Sequence, residues 1–323
     1  MAGQARRRYP GPPGELHALV LAGGFGRRLE PLTRRLFGEA IPKQFCRFEE
    51  GRSLLQQTLD RLAPLTPATR TTIVVDQSQL HRATAQLHGY RGVTLEAQPS
   101  DRGTAAGVLL PLRSIAARAP DAVVVIAASD HGVRDEARFV VALRRAESAV
   151  RSEPRRIVLL GAAAEAPTTD YGWIVRGEPI ATADGSENGD LDRVARFVEK
   201  PPVDLAHLLH RSGTALWNTM VLVGTATALL DAFARELPEL AEAMAALPRR
   251  AGGEGRFAAA YATLPTANFS ADVLGRAAEL AVVTLPADVG WTDLGTEQRM
   301  LDWLARTAPT TAQRGSELVA QEA

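Results

Sequence analysis

Cysteine is nearly absent from this chain, and so is lysine. The 323 residues include one cysteine, Cys46, which excludes an internal disulfide framework and suits a reducing cytoplasm. Net charge is also absent. The 37 lysine and arginine residues balance 37 acidic ones, so no basic surplus exists to drive sequence-independent binding of a nucleic acid. No apolar run approaches the roughly 20 residues of a membrane span. The longest, from Ala122 to Ala128, has the length of a buried strand. Residues 1–13 carry three arginines and three prolines without an apolar segment, so they do not read as a signal peptide. The expectation is a cytoplasmic globular protein with neither a nucleic-acid nor a membrane partner. The apolar share of 46% is enough to build a core.

The lysine shortage has a second use. Only Lys43 and Lys200 remain among the 37 cations. Lysine is a compact ammonium on a flexible stem, whereas arginine is a broad planar fork. A lysine retained against this bias is a candidate for a task that arginine does not perform; retention by chance is the other reading.

Apolar runs alternate with helical patterns along the first half. Strands are expected at 17–22, 71–75, 93–97, 122–128 and 156–160. Helices are expected from a capping box at Ser53, around 79–87, at 104–118 with an interruption at Pro111, and at 136–150. This order implies βαβ units, hence an α/β fold with a Rossmann-like, mixed, mostly parallel sheet and helices on both faces. The second half reads as strands at 171–176, 191–198, 216–223 and 282–285 without long helices between most of them, a mixed or antiparallel extension. Helices are expected at about 225–236 and 256–263. The domain is expected to span 14–306, between a flexible tail at 1–13 and a disordered one at 307–323.

In such sheets ligands bind at the carboxyl ends of strands. Two loops qualify: 23–33 after the first strand and 129–132 after the most apolar one. The first opens Leu21-Ala22-Gly23-Gly24-Phe25-Gly26-Arg27-Arg28. Glycines there let backbone N–H groups approach an anion, and Arg27, Arg28 and Lys43 add cations. No Gly-Lys pair exists, which excludes a Walker A loop, and Leu29 stands where a dinucleotide fingerprint needs its last glycine. A phosphate loop and a plain tight turn both remain.

The segment from Leu21 to Leu29 resembles the L-A-G-G-x-G-T-R-L signature of sugar-1-phosphate nucleotidyltransferases. Pro42-Lys43-Gln44-Phe45 is similar to the form found in mannose-1-phosphate guanylyltransferases. The resemblance implies transfer of a nucleotidyl group from an NTP, with GTP favoured, to a hexose-1-phosphate, with mannose-1-phosphate favoured. It assigns Arg28 and Lys43 to the nucleotide phosphates as catalytic residues, and Leu21, Ala22, Gly23, Gly24, Gly26 and Arg27 to nucleotide binding. Gln98-Pro-Ser-Asp-Arg102-Gly103-Thr104-Ala resembles a segment near base and phosphates, which adds Gln98, Arg102, Gly103 and Thr104; a polar turn ahead of a helix is the plainer reading.

Ser129-Asp130-His131 resembles A-D-H, whose aspartate binds the metal, and Gly290-Trp-Thr-Asp293-Leu-Gly resembles W-x-D-[VL]-G, whose aspartate is the second carboxylate. Asp130, which the resemblance also counts among the catalytic residues, and Asp293 are thus expected to hold Mg²⁺, which prefers few carboxylates plus phosphate oxygens. For Asp130 the plainer reading is a turn residue; for Asp293 it is an N-cap of the following helix. Phe197-Val-Glu199-Lys200-Pro resembles F-x-E-K-P, which assigns Glu199 to sugar hydroxyls and Lys200 to the sugar phosphate. Gly172 in Tyr171-Gly-Trp-Ile and Asn218 in Trp217-Asn-Thr are sugar-side by weaker matches.

Four positions depart from the family pattern: Arg27 for threonine, Glu30 for tryptophan, Met220 for glycine, and the 270–277 segment, which keeps little of S-I-D-Y-A-V-M-E. The phosphate and metal positions match while several near the sugar do not, so the departures bear on the sugar more than on the reaction. The match covers roughly residues 14–300. The resemblance also implies a homodimer, and a catalytic domain without the C-terminal domain of longer members, because only about 30 residues follow Asp293.

Overall fold

The computed structural model describes residues 14–48, 51–181, 191–248, 250 and 253–307. The expected tails lie outside these residues, except that Thr307 closes the last helix. The strands are β1 (Leu16–Leu21), β2 (Thr71–Asp76), β3 (Thr94–Gln98), β4 (Val123–Ala128), β5 (Ile157–Ala163), β6 (Gly172–Pro179), β7 (Leu191–Glu199), β8 (Ala215–Thr225) and β9 (Leu280–Leu285). They form one sheet in the order β3-β2-β1-β4-β8-β5-β9-β7-β6, with β6 also pairing β8. The four strands at the β3 end run parallel. Antiparallel β8 then joins β4 to β5, and β6 and β7 form an antiparallel hairpin. The sheet is mixed, as expected for this α/β class.

Ten α-helices are described: α1 (Glu30–Phe37), α2 (Leu54–Leu62), α3 (Leu80–Gln86), α4 (Gly103–Arg118), α5 (Glu136–Ser152), α6 (Val203–Ser212), α7 (Ala226–Glu236), α8 (Pro238–Ala245), α9 (Glu254–Ala262) and α10 (Glu297–Thr307). Strand periodicity sorts them onto two faces. Along β4, Val123, Val125 and Ala127 pack with Leu55 and Leu59 of α2 and Phe139 and Leu143 of α5. The alternate residues Val124 and Ile126 pack with Leu109 of α4, Leu229 and Phe233 of α7 and Tyr261 of α9. Each such fully buried aliphatic side chain contributes about 1.5–3 kcal/mol. No described helix is long and apolar enough to cross a membrane.

Two local expectations meet different outcomes. The capping box is present: Ser53 Oγ accepts from the Gln56 amide and Gln56 Oε1 accepts from the Ser53 amide. The interruption at Pro111 is not, because α4 runs through it. Pro111 lies within a run from Ala105 to Leu112 that is buried throughout, and this packing outweighs one missing N–H.

Candidate active site

The glycine loop leaves β1 at the centre of the parallel half. Ala22 N–H still bonds the Val74 carbonyl at 2.8 Å, and then the chain turns away from the sheet. Gln44 fixes the turn. Its buried amide donates to the carbonyls of Ala22 (2.9 Å) and Gly24 (2.7 Å) and to Gln79 Oε1 (2.9 Å). With these carbonyls held by Gln44, the N–H groups of Gly23, Gly24 and Phe25 bond no backbone carbonyl among the described residues, which leaves them available to an anion. Gly26 has φ +61°, and a Cβ there would stand 3.3 Å from the Lys43 amide nitrogen. Arg27 is exposed over the Phe25 ring. Arg28, 65% exposed at its side chain, reaches Asp170 at 3.3 Å.

Lys43 sits beneath this loop, only 5% exposed. Its ammonium meets Asp130 Oδ2 at 3.0 Å, the Leu294 carbonyl at 3.3 Å and the Asp293 carbonyl. An ammonium has three N–H donors, and the protein supplies three acceptors. A paired bridge, Gly132 N–H to Thr292 carbonyl (2.9 Å) and Thr292 N–H to Gly132 carbonyl (3.0 Å), ties the loop after β4 to the loop after β9. Bridge and lysine together bring the Asp130 and Asp293 loops to one place, although 163 residues separate them in sequence.

Each carboxylate is held by one oxygen. Asp130 gives Oδ2 to Lys43, while Oδ1 stands 3.6 Å from His131 Nε2. Burial is the largest influence and pushes the Asp130 carboxyl up, but the Lys43 ammonium, His131 and the hydrogen bonds to the carboxylate together hold the group below the usual carboxylate range. Asp293 Oδ1 accepts from Tyr171 Oη (2.7 Å), the Gly295 amide (3.0 Å) and Arg299 Nη1 (3.1 Å). Its Oδ2 has only a longer Arg299 contact at 3.4 Å. Burial raises this group too, and the Tyr171 hydrogen bond with nearby positive charge lowers it further than burial raises it. Two ionised carboxylates, each with a lightly held oxygen, are a hard donor set that fits Mg²⁺. Among the described residues no group of three or more His, Cys, Asp or Glu could hold a metal alone, so substrate oxygens would complete the shell. The N-cap reading of Asp293 does not hold: Thr296 Oγ1 accepts from the Arg299 amide at the start of α10, leaving Asp293 to the site.

The other nucleotide-side residues divide. Gln98 closes β3 with its amide nitrogen 3.0 Å from where a Gly23 Cβ would stand, so it borders the glycine loop. Its Oε1 accepts from Tyr261 Oη at 3.1 Å. Arg102 donates to the Leu264 carbonyl, through Nε at 2.7 Å, and Thr104 Oγ1 accepts from the Phe269 amide at 2.8 Å. Gly103, at φ +79°, leaves no room for a side chain against Ala267. Arg102, Gly103 and Thr104 therefore dock on the 264–269 segment rather than standing free.

On the sugar side, Gly172 pairs with Glu199 across the β6–β7 hairpin. A Cβ on Gly172 would stand 2.7 Å from Glu199 Oε2 and 3.3 Å from the Asn218 Cβ, so these three residues converge. Burial raises the Glu199 carboxyl against the lowering effect of Lys200. Lys200 is exposed at φ +44°, and its amide donates to the Tyr171 carbonyl at 3.1 Å. Asn218 Oδ1 accepts from the Met220 amide at 3.1 Å. Met220 itself has φ +55°, so the position where the family has glycine keeps a glycine-like backbone under a methionine side chain. Ser270 Oγ donates to its sulfur at 3.4 Å.

Sequence reasoning missed Gln44, Asp170, Tyr171 and Arg299 as site residues. Gln44 and Tyr171 stand inside quoted motifs and had a signal. Asp170 and Arg299 had none.

A family model described as Nucleotidyl transferase matches residues 17–308. The mannose-1-phosphate guanylyltransferase of Escherichia coli (strain K12) is 30% identical over 302 residues, which cover 91% of this chain and 61% of that protein. The xanthan biosynthesis protein XanB of Xanthomonas campestris pv. campestris (strain B100) is 30% identical over 291 residues, covering 88% of this chain and 58% of that protein. The chain thus spans about three fifths of the length of these curated relatives. The crystal structure of mannose-1-phosphate geranyltransferase from Thermus thermophilus superimposes with a TM-score of 0.74 at 32% identity, covering 92% of this chain and 81% of that one.

Proposed function

We propose that this chain, which belongs to the nucleotidyl transferase family, transfers a nucleotidyl group from an NTP to a sugar-1-phosphate and releases pyrophosphate. GTP and mannose-1-phosphate are the favoured substrates, on the names of the relatives with 29–30% identity. The reaction is placed in the cytoplasm, which a single, unpaired cysteine suits.

The observation that carries the proposal is the junction at Lys43, which ties together the two distant loops that bear the ionised Asp130 and Asp293, beside the glycine loop. A sugar phosphate oxygen is already ionised near neutral pH, since the second phosphate pKa is about 6. Attack on the α-phosphorus therefore requires no general base. The work is positioning and neutralisation of charge. The loop amides and Gln98 would seat the nucleotide, and Arg28 would offset charge on the departing pyrophosphate. Lys43 fills its three N–H bonds with protein acceptors, so it holds the two aspartates in place. Mg²⁺ on Asp130 and Asp293, when bound, would neutralise the triphosphate. Glu199 and Asn218 would read sugar hydroxyls beside Gly172, with Lys200 free to meet the sugar phosphate.

Pyrophosphate release, measured for each NTP against a panel of sugar-1-phosphates with Mg²⁺, tests this reading. GTP with mannose-1-phosphate is expected to be fastest. Silence across the panel with tight binding of a GDP-sugar would replace the enzyme by a sugar-nucleotide-binding protein.

A further inference from the structure

Asp170 and Arg299 stand 129 residues apart and belong to no phosphate or metal motif. They nevertheless complete a chain of alternating charge. Arg28 Nη1 meets Asp170 Oδ1 at 3.3 Å, Asp170 Oδ2 meets Arg299 Nη2 at 3.2 Å, and Arg299 Nη1 meets Asp293 Oδ1 at 3.1 Å. Each oxygen of Asp170 serves a different arginine, and each terminal nitrogen of Arg299 serves a different aspartate. Arg299 is 26% exposed at its side chain, and its guanidinium lies 4.7 Å over the Tyr171 ring. The Tyr171 hydroxyl donates to the same oxygen, Asp293 Oδ1, at 2.7 Å. The guanidinium is a rigid planar fork, so a shift toward one aspartate is a shift away from the other.

The links differ in strength. The Arg28–Asp170 contact is a single, largely exposed ion pair, the kind that solvent screening leaves weak. The Arg299–Asp293 contact is reinforced by Tyr171, whose ring lies beneath the guanidinium and whose hydroxyl donates to the same carboxylate oxygen. A triphosphate entering the glycine loop takes Arg28 from Asp170 more easily than anything removes Arg299.

We propose that Asp170 and Arg299 are positioning residues that couple phosphate binding at Arg28 to cation binding at Asp293. Capture of Arg28 leaves Asp170 facing Arg299 alone. The guanidinium is drawn toward Asp170, its hold on Asp293 loosens, and the carboxylate opens to a divalent cation. Nucleotide and cation then each strengthen the binding of the other, by reciprocity of linkage. This inference rests on the reading of Asp130 and Asp293 as the cation site and of Arg28 as a phosphate group.

The test measures affinity for α,β-methylene-GTP by calorimetry with and without Mn²⁺, in the wild type, Asp170→Asn, Arg299→Lys and the double variant. Chelation of Mn²⁺ by the nucleotide is the same in every titration, so differences between proteins report the coupling. Both single variants are expected to reduce the Mn²⁺ enhancement roughly fivefold to twentyfold. Arg299→Lys keeps the charge but cannot span both aspartates, which separates geometry from charge. The double variant is expected to lose no more than either single one, because both break one chain. An enhancement equal in all four proteins, with only melting temperature reduced, would make the pair a structural staple and overturn the inference. Pyrophosphate release on the same proteins separates this from the reaction. Turnover with unchanged coupling removes the inference and leaves the reaction; coupling lost in the variants of a chain without turnover does the reverse.

Discussion

Lys43 and Lys200 stand in opposite surroundings. Around Lys43 the protein supplies an acceptor for every N–H, and the side chain is buried against two loops. Around Lys200 the side chain is exposed, and only its backbone is bound, in a left-handed conformation. The loops after β4 and β9 thus close around one buried ammonium, while the β7 end leaves an exposed one on a left-handed turn. The same residue type thus serves two settings: a compact ammonium enclosed by protein acceptors, and an exposed one on a flexible stem that reaches outward.

The comparison breaks most sharply at Lys43. Lys43→Met leaves the Asp130 carboxylate and the two carbonyls without a donor. Breaking a fully buried pair costs about 3–5 kcal/mol; with Asp130 31% exposed at its side chain, about 2–3 kcal/mol is expected in denaturant unfolding, with turnover lost. Gly172→Ala comes next. The added Cβ meets the Glu199 carboxylate at 2.7 Å, so stability falls by about 1–3 kcal/mol, as for overpacking. The KM for sugar-1-phosphate should rise in steady-state assays while that for NTP holds. A change in both would show that the two halves are not separable at this wall.

Lys200→Gly sharpens the contrast because the two readouts move in opposite directions. Relief at φ +44° is expected to raise unfolding stability by about 1 kcal/mol at most, whereas the same substitution weakens sugar-phosphate binding. Loss of stability like that at Lys43 would erase the distinction. The smallest effect is at Glu199. Its carboxyl is raised by burial, so the protonated form suits the folded state. That contribution is complete below the ordinary glutamate range and is lost as pH rises through the raised value. Glu199→Gln should therefore match the wild type in melting temperature at low pH and exceed it at neutral pH; the opposite order contradicts the burial argument.

Most strands were readable because short segments rich in apolar residues, none with an unbroken apolar run longer than the seven of residues 122–128, announce themselves, and the expected bounds fall close to those found. Helix α1 was hidden by being read as part of the glycine motif, although Glu30 and Arg34 pair across one turn within it. Helix α4 was read as broken because one proline was weighed without the packing of its buried neighbours. In the site, Lys43 was legible as one of only two lysines standing inside a family-like motif, and Asp130 because it directly follows the most apolar strand. The link between Asp170 and Arg299 was not, because neither has a local signature and their meeting depends on how β6 and α10 converge. Arg102 shows the converse: a motif position whose guanidinium is bound to the Leu264 carbonyl.

The central claim is that Asp130 and Asp293 act together as the cation-bearing pair of a nucleotidyl transfer site. Pyrophosphate release by Asp130→Asn, which keeps an acceptor for Lys43, is the most direct test. A fall of about 100-fold or more, with the folded circular dichroism spectrum retained, is the predicted result. Near-normal turnover in that folded variant would contradict the account.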